Sequence, residues 1–299
     1  MPLYDTHSYE LRTLPMQRLF AELASWVEMG APGGYIWGNS RSGKTRAIRA
    51  LQPLLKNRAE EPVFSHLYVA TAYTVATDNK IWGDLLRSLK HPVAKSTRAI
   101  EKFWALIAFF SDQAAMNSTR QVVLFIDNAE EWDARCYRFL KGLFNVLTEE
   151  GVQPCFISVG APEFRDWIEG LGGAVAPHLI GRFFASSVGF TGLLNSRDLE
   201  QALDQFDTAQ DRRNLGPDCS VAHYLPKAYE ANFRLAPHAD LIWQTFLASS
   251  RVRPPQWPMQ YFTATVVSLV IDILGKRDSA DLELLEDDVA AAITWSGMP

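Results

Sequence analysis

The chain has 299 residues, 47% hydrophobic and 21% charged, and its 29 basic and 34 acidic side chains give a net charge of −5. This length suits two packed units, or one large α/β unit with an appendage. The composition excludes wholesale disorder, a collagen-like chain and a small disulfide-stapled scaffold, and the negative balance argues against a basic coat for nucleic acid while leaving local basic patches open.

Up to about Asn195 helical stretches alternate with short apolar runs, the signature of a parallel α/β sheet. Leu14, Leu19, Leu23 and Val27 fall at helical spacing. Gly30 to Gly34 then breaks the helix, and Tyr35-Ile36-Trp37 reads as a short buried strand. Arg46 to Leu55 reads as the next helix, Val63 to Ala70 as a strand, Lys80 to Leu89 as an amphipathic helix and Thr97 to Ala115 as a longer one. Val122 to Ile126 is too short for a helix and is expected as a central strand. Ala134 to Thr148 is helical, Cys155 to Val159 and Phe183 to Phe190 are the fourth and fifth strands, and a helix follows near Ser196 to Phe206.

The texture then changes. Asp207 to Pro226 is rich in polar and turn residues, and beyond it three helices are expected, over Asp240–Ser249, Tyr261–Leu274 and Glu286–Thr294. A boundary between about 207 and 220 divides an α/β domain, 31–210, from a C-terminal helical domain, 211–299, with 1–30 a helical segment packing on the core. Cys136, Cys155 and Cys219 are odd in number and widely spaced, and read as reduced thiols in the core. The six histidines show no metal-ligand spacing. No basic region followed by an apolar one opens the chain, and Tyr261 to Leu274 falls short of the ~20 apolar residues a membrane span needs, so a cytoplasmic protein without a signal peptide is expected. Of the nine tryptophans, Trp37, Trp104 and Trp243 read as core, and Trp257 either as a partner contact or as domain packing.

The sharpest signal is Gly38-Asn39-Ser40-Arg41-Ser42-Gly43-Lys44-Thr45, which fits G-x-x-x-x-G-K-[ST] without departure. Its glycines let backbone N–H groups turn inward around phosphate oxygens, and the following helix presents its positive end to the same anion. Lys44 can bridge the outer phosphates and Thr45 can offer its hydroxyl to Mg²⁺. A second element, Val122-Val123-Leu124-Phe125-Ile126-Asp127, is a strand ending in a carboxylate suited to the magnesium side of such a site. The next residue is Asn128, which can orient a water but cannot take its proton. Glu130 and Glu131 follow closely, either with one of them, Glu130 first, as a substitute base or both as solvated helix-start acids.

With these elements in place the chain resembles an AAA+ ATPase, and within that class the TniB/TnsC regulators of transposition. The resemblance rests on Gly38–Thr45, on Ile126-Asp127-Asn128-Ala129-Glu130, on Ile157-Ser158-Val159-Gly160-Ala161-Pro162-Glu163-Phe164 and on Gly181-Arg182-Phe183-Phe184 opening the fifth strand. It implies a P-loop AAA+ fold, a parallel five-stranded sheet flanked by helices and followed by a small helical lid. It also implies an ATPase using ATP and Mg²⁺, slow because Asn128 stands where a glutamate is usual. Arg182 takes the place of an arginine finger reaching a neighbouring subunit's ATP, and Ser158 is the nearest candidate for a polar sensor. No basic sensor is found where Pro258-Met259-Gln260-Tyr261 opens a helix.

The same resemblance implies a homo-oligomeric ring or helical filament on double-stranded DNA, linking a target-selector protein to a DDE transposase. DNA contact is then expected between the second and third strands, a segment that carries Lys90, Lys95, Arg98, Lys102 and Arg120; from Lys90 to Lys102 four basic residues stand against one acid, Glu101. The plainer alternative for these residues is a solvated loop and helix face. Two rivals stay open: a replication-initiator or helicase-loader type protein, and a nucleotide-gated signalling or defence switch that does not bind DNA.

Overall fold

The structure is a computed structural model that describes Leu3, Asp5 and residues 11–171, 177–208, 217–250 and 255–298. Five strands, β1 (Gly33–Trp37), β2 (Phe64–Val69), β3 (Gln121–Asp127), β4 (Gln153–Gly160) and β5 (Ser186–Gly189), form one parallel sheet in the order β2-β3-β4-β1-β5. β3 and most of β4 are buried, which is why they read as unbroken apolar runs rather than alternating ones. The register places Trp37 opposite Gly160, and Asp127 opposite Val159, at the carboxyl end of the sheet. With neighbouring strands ~4.8 Å apart, the loop leaving β1 and the end of β3 lie about 10 Å from one another across β4.

The helices of this part are α1 (Leu14–Glu28), α2 (Lys44–Leu51), α3 (Asp78–Ser88), α4 (Ala99–Ala114), α5 (Ala134–Glu149), α6 (Pro162–Leu171) and α7 (Pro177–Phe183). Three have side-chain caps that satisfy orphan donors: Thr13 accepts from Met16 N, Thr77 from Lys80 N, and Asp133 from Arg135 N and Cys136 N. α2 stops at Leu51, short of the expected Leu55, because Pro53 has no N–H to continue it; a 3₁₀ turn follows over Gln52–Leu54. The fifth strand is also shorter than expected. Phe183 ends α7 rather than entering the sheet, and its ring lies parallel to Phe156 with centroids 6.2 Å apart in the core.

The remaining helices are α8 (Ser196–Asp207), α9 (Val221–Tyr224), α10 (Pro226–Glu230), α11 (Ala239–Ser249), α12 (Met259–Val267) and α13 (Glu286–Trp295). Asn195 caps α8 by accepting from Asp198 N, and Asp198 accepts in return from Leu194 N. The helix expected over Tyr261–Leu274 begins two residues earlier and is not uniform: α12 passes into a π-helical stretch, Ser268–Ile273, and then a 3₁₀ turn, Leu274–Arg277.

The chain divides into two compact units. One comprises Leu19–Asn39 and Lys44–Phe190, around the sheet; the other comprises Met1–Arg18, Ser40–Gly43 and Thr191–Pro299. The division thus falls at 190/191 rather than between 207 and 220, because Leu199, Ala202, Leu203 and Phe206 of α8 are buried in the helical unit's core. Leu3 and Leu11 are buried there too, so these two residues pack with the helices, whereas α1 from Leu19 onward belongs with the sheet unit as expected. Much of 207–220 lies outside the described residues.

Trp257 is fully buried, stacked on Phe246 at 4.4 Å and 8°, and pairs through its main chain with Leu193, which makes it a packing residue of the helical unit. Gly192 is required beside it, since a Cβ there would collide with the Trp257 carbonyl. Trp243 is buried as expected and Trp37 half-buried, but Trp104 is 52% exposed on the outer face of α4 and is not core. Cys136, Cys155 and Cys219 are buried and unbridged; burial raises the thiol pKa of Cys136 and Cys155 to about 12, which leaves both protonated and inert.

Candidate functional site

β1 delivers the chain into Gly38–Thr45, and close packing fixes where that loop starts. Gly38 N donates to Gly160 O at 3.2 Å, Phe190 N donates to Trp37 O at 2.7 Å, and a Cβ on Gly38 would run into the Phe190 carbonyl. Gly43 has φ +99, a conformation that only glycine adopts without strain. Lys44 opens α2, and its ammonium donates to Gly38 O at 2.6 Å and Asn39 O at 3.0 Å. Its pKa is lowered by burial, against the attraction of Glu130, Asp127 and Glu163.

Thr45 joins the loop to the end of β3: its hydroxyl donates to Asp127 Oδ2 at 2.6 Å. Asp127 is only 3% exposed, and its other oxygen accepts from Asn128 N at 3.1 Å. Asn128 is left-handed, with φ 55 and ψ 43, and begins the turn Ala129–Glu131 that carries Glu130 back toward the sheet. Asparagine tolerates that conformation better than glutamate. Glu130 Oε2 accepts from Ala161 N at 3.2 Å, beyond the end of β4, and Glu163 opens α6 two residues later.

Within the loop Asn39 and Gly43 are half-buried, Ser40 and Arg41 exposed, and Ser42 buried with its hydroxyl unpaired. An orphan hydroxyl and a half-buried ammonium in one glycine-bearing turn at a helix N-terminus are donors suited to an anion. Thr45 and Asp127 add hard oxygen ligands of the kind Mg²⁺ takes. Among the described residues no group of three or more His, Cys, Asp or Glu side chains gathers to hold a metal by itself. A Mg²⁺ held by Thr45 and Asp127 would therefore draw its other oxygens from phosphate and water.

Three sequence expectations about the site are overturned. Ser158 is 1% exposed and its hydroxyl shares a 2.9 Å hydrogen bond with the fully buried Tyr137 phenol, so it is a core pair and not a phosphate sensor. Lys102 is 7% exposed and its ammonium donates to Asn79 Oδ1 at 2.8 Å and Asn79 O at 3.2 Å, so it faces inward and has no route to a DNA phosphate. Lys90, Lys95 and Arg98 do lie exposed on the connection between α3 and α4, with Arg98 paired to Glu101. Arg182 stands near the end of α7, half-buried, donating to His178 O at 3.3 Å with its guanidinium 6.0 Å from the Phe144 ring. The Gly181–Phe184 motif therefore closes a helix rather than opening a strand. Glu163 and the Ala161 N–H were not expected at the site; the acid in the first turn after β4 was the one available signal.

Sheet order, phosphate loop and strand-end aspartate together define the P-loop AAA+ fold, with the parallel five-stranded sheet and helical C-terminal region expected from the sequence. Residues 27–168 match a family model described as an AAA domain. The fold is similar over 98% of the chain to the ORC2 protein of Aeropyrum pernix, solved as ADPNP and ADP complexes, with a TM-score of 0.60, 14% identity and 71% of that chain covered. Drosophila ORC bound to DNA gives a TM-score of 0.47 at 12% identity, over 93% of this chain and 59% of that one. Cdc6p from Pyrobaculum aerophilum gives 0.45 at 14% identity, over 98% and 83%. No curated protein matches the chain by sequence. At 14% identity the likeness to the ORC2 protein speaks for the fold alone.

Proposed function

We propose that the protein binds ATP with Mg²⁺, hydrolyses it slowly, and assembles on double-stranded DNA in its ATP-bound form to link a target selector to a DDE transposase, in the manner of the TniB/TnsC regulators. The observation that carries the nucleotide part is the 2.6 Å contact between Thr45 and Asp127, which joins the phosphate loop to the strand-end carboxylate. Gly38, Asn39, Ser40, Arg41, Ser42 and Gly43 cradle phosphates, Lys44 neutralises the outer ones, and Thr45 with Asp127 holds the metal. The metal would supply charge neutralisation on the phosphates.

Turnover is slow because Asn128 cannot accept a proton. Glu130, kept at the end of β4 by the Ala161 N–H, is the base that remains. Arg182 acts in trans, stabilising charge on a neighbouring subunit's ATP, so that nucleotide and assembly are coupled. Lys90, Lys95 and Arg98 each neutralise a few phosphates, and binding becomes firm only when several subunits act together. Regulation of transposition is drawn from the motif resemblance. Among the described residues no helix is long and apolar enough to cross a membrane, and we place the protein in the cytoplasm.

Electron microscopy with duplex DNA tests this, comparing ATP, a non-hydrolysable analogue and no nucleotide, with Lys44→Ala as control. Rings or filaments that need nucleotide and vanish in the variant are expected. Bound ATP without DNA association in any state would overturn the DNA and transposase parts and leave a nucleotide-gated switch.

A further inference from the structure

An open groove of about 410 Å³ runs between α3, α4 and α5, wholly within the sheet unit. Its floor is aromatic: the Trp82 ring lies 5.7 Å from that of Phe103 and 6.5 Å from that of Phe139, centroid to centroid. Ile100 lines it from α4 and is exposed, and the exposed Trp104 stands beside it against Phe103. Gly142, inside α5, forms part of the wall, and nothing lies within 4 Å of where its Cβ would be, so the molecule leaves this space open.

The rim is basic. Arg135, Arg138 and Lys141 follow one another at three-residue spacing along α5, and Arg138 lines the groove. Among the described residues none of the three is in an ion pair. The carboxylates nearby are engaged elsewhere: Asp133 caps α5 beside Arg135, Glu101 pairs with Arg98, and Asp78, which also lines the groove, accepts from Asn79 N. Such a groove calls for large apolar side chains accompanied by carboxylates.

The helical unit carries that combination on α13. Among the described residues Leu285 is the one exposed large apolar side chain with three exposed carboxylates within two positions, those of Glu283, Glu286 and Asp287. Arg277, the basic group near them, is taken by Asp288. Asp287, Ala291 and Trp295, spaced four apart, are all exposed and share one side of the helix, and Trp295 is 79% exposed. Acids in a first helical turn stabilise the helix by themselves. That does not account for a leucine and a tryptophan left in water at its two ends, about 15 Å apart at 1.5 Å per residue.

We propose that the α3–α4–α5 groove of one molecule takes α13 of a second copy, with Trp295 on the aromatic floor and the first-turn carboxylates against Arg138 and Lys141. The two surfaces differ, so the contact is heterologous and runs head to tail. It needs neither nucleotide nor DNA, and so stands apart from the phosphate-loop reading: a chain that binds no ATP still makes it.

Sedimentation of the full chain without nucleotide or DNA is the test. One helix in one groove covers less than the ~800 Å² per partner of a standard interface, so association is weak, its average mass rising across about 1–100 µM and falling with added salt. Arg138→Glu with Lys141→Glu weakens association on the order of tenfold. Glu286→Lys with Asp287→Lys does the same, although it brings the net charge nearer zero, which by a general charge effect would promote association. All four reversals in one chain restore it. Gly142→Gln fills the wall with a better helix former, so that variant melts no lower than wild type yet no longer associates; Trp295→Ser removes the contact from the other side. A mass independent of concentration would overturn the proposal, meaning that the groove takes another partner or none. Association that survives both Gly142→Gln and Trp295→Ser, or four reversals that fail to restore it while both pairs of reversals weaken it and all variants melt as wild type, would overturn it as well.

Discussion

Lys44 has Glu130, Asp127 and Glu163 around it and is still harder to protonate than a free lysine, because burial outweighs their attraction. The sign of the consequence follows by linkage. The folded chain binds fewer protons at Lys44 than the unfolded chain does, so this group makes stability rise with pH between its lowered value and the ordinary 10.5. ATP binding needs the ammonium and moves the other way: affinity falls over the same rise, starting below the pH expected of an exposed lysine. Calorimetric titrations from neutral pH upward show this, and Lys44→Arg shifts the fall to higher pH. Glu130 is tested by Glu130→Gln, which lowers hydrolysis on the order of 100-fold while ATP affinity stays within about threefold. Single-turnover assays separate the two quantities, and unchanged hydrolysis moves the base to Glu163. Asn128→Val costs about 1–2 kcal/mol through its left-handed backbone, whereas Asn128→Gly is neutral or nearly so in the same melt.

The elements show where local pattern suffices and where it does not. The runs that became β3 and β4 were legible because strands buried on both faces read as near-continuous apolar stretches. The loop was legible because its chemistry is contained in eight consecutive residues. The fifth strand was overdrawn because Phe183 and Phe184 are apolar for a different reason, packing α7 against Tyr137 and Phe156. Ser158 looked free because its partner, Tyr137, is 21 residues away on α5. Lys102 looked exposed because a helical lysine usually is; Asn79 gives it two oxygens in the interior. The hydrogen bond from Arg41 to Tyr261 spans 220 positions, and no local signal records it. Two element-scale outcomes are checkable by urea melts. Gly192→Ala forces Leu193 and Trp257 apart and costs about 2–4 kcal/mol. Asp207 accepts from Leu235 N and Ala236 N at 2.8 Å each, so Asp207→Asn leaves one of those buried donors facing an amide N–H₂, at a cost of about 2 kcal/mol. Burial raises the Asp207 pKa, the folded state therefore holds its proton longer than the unfolded one, and its contribution makes stability fall as pH rises through that window.

At the scale of the molecule, an acidic chain exposes three of its basic residues, Lys90, Lys95 and Arg98, on one connection, and under the proposed function this favours DNA contacts made by many copies over tight binding by one. Under the proposed function, affinity for duplex DNA is steeply salt-dependent and cooperative, and Lys90→Glu with Lys95→Glu weakens it at every sequence alike. Lys102→Ala, by contrast, lowers stability through its lost hydrogen bonds to Asn79 and leaves DNA affinity per folded molecule unchanged. All of this depends on the phosphate loop being a nucleotide site. Equilibrium titration of wild type and Lys44→Ala with MgATP decides that most directly. Saturable one-to-one binding by wild type, weakened on the order of 100-fold in the variant, is the expected result. No binding by the folded wild type, or equal binding by both, would contradict it.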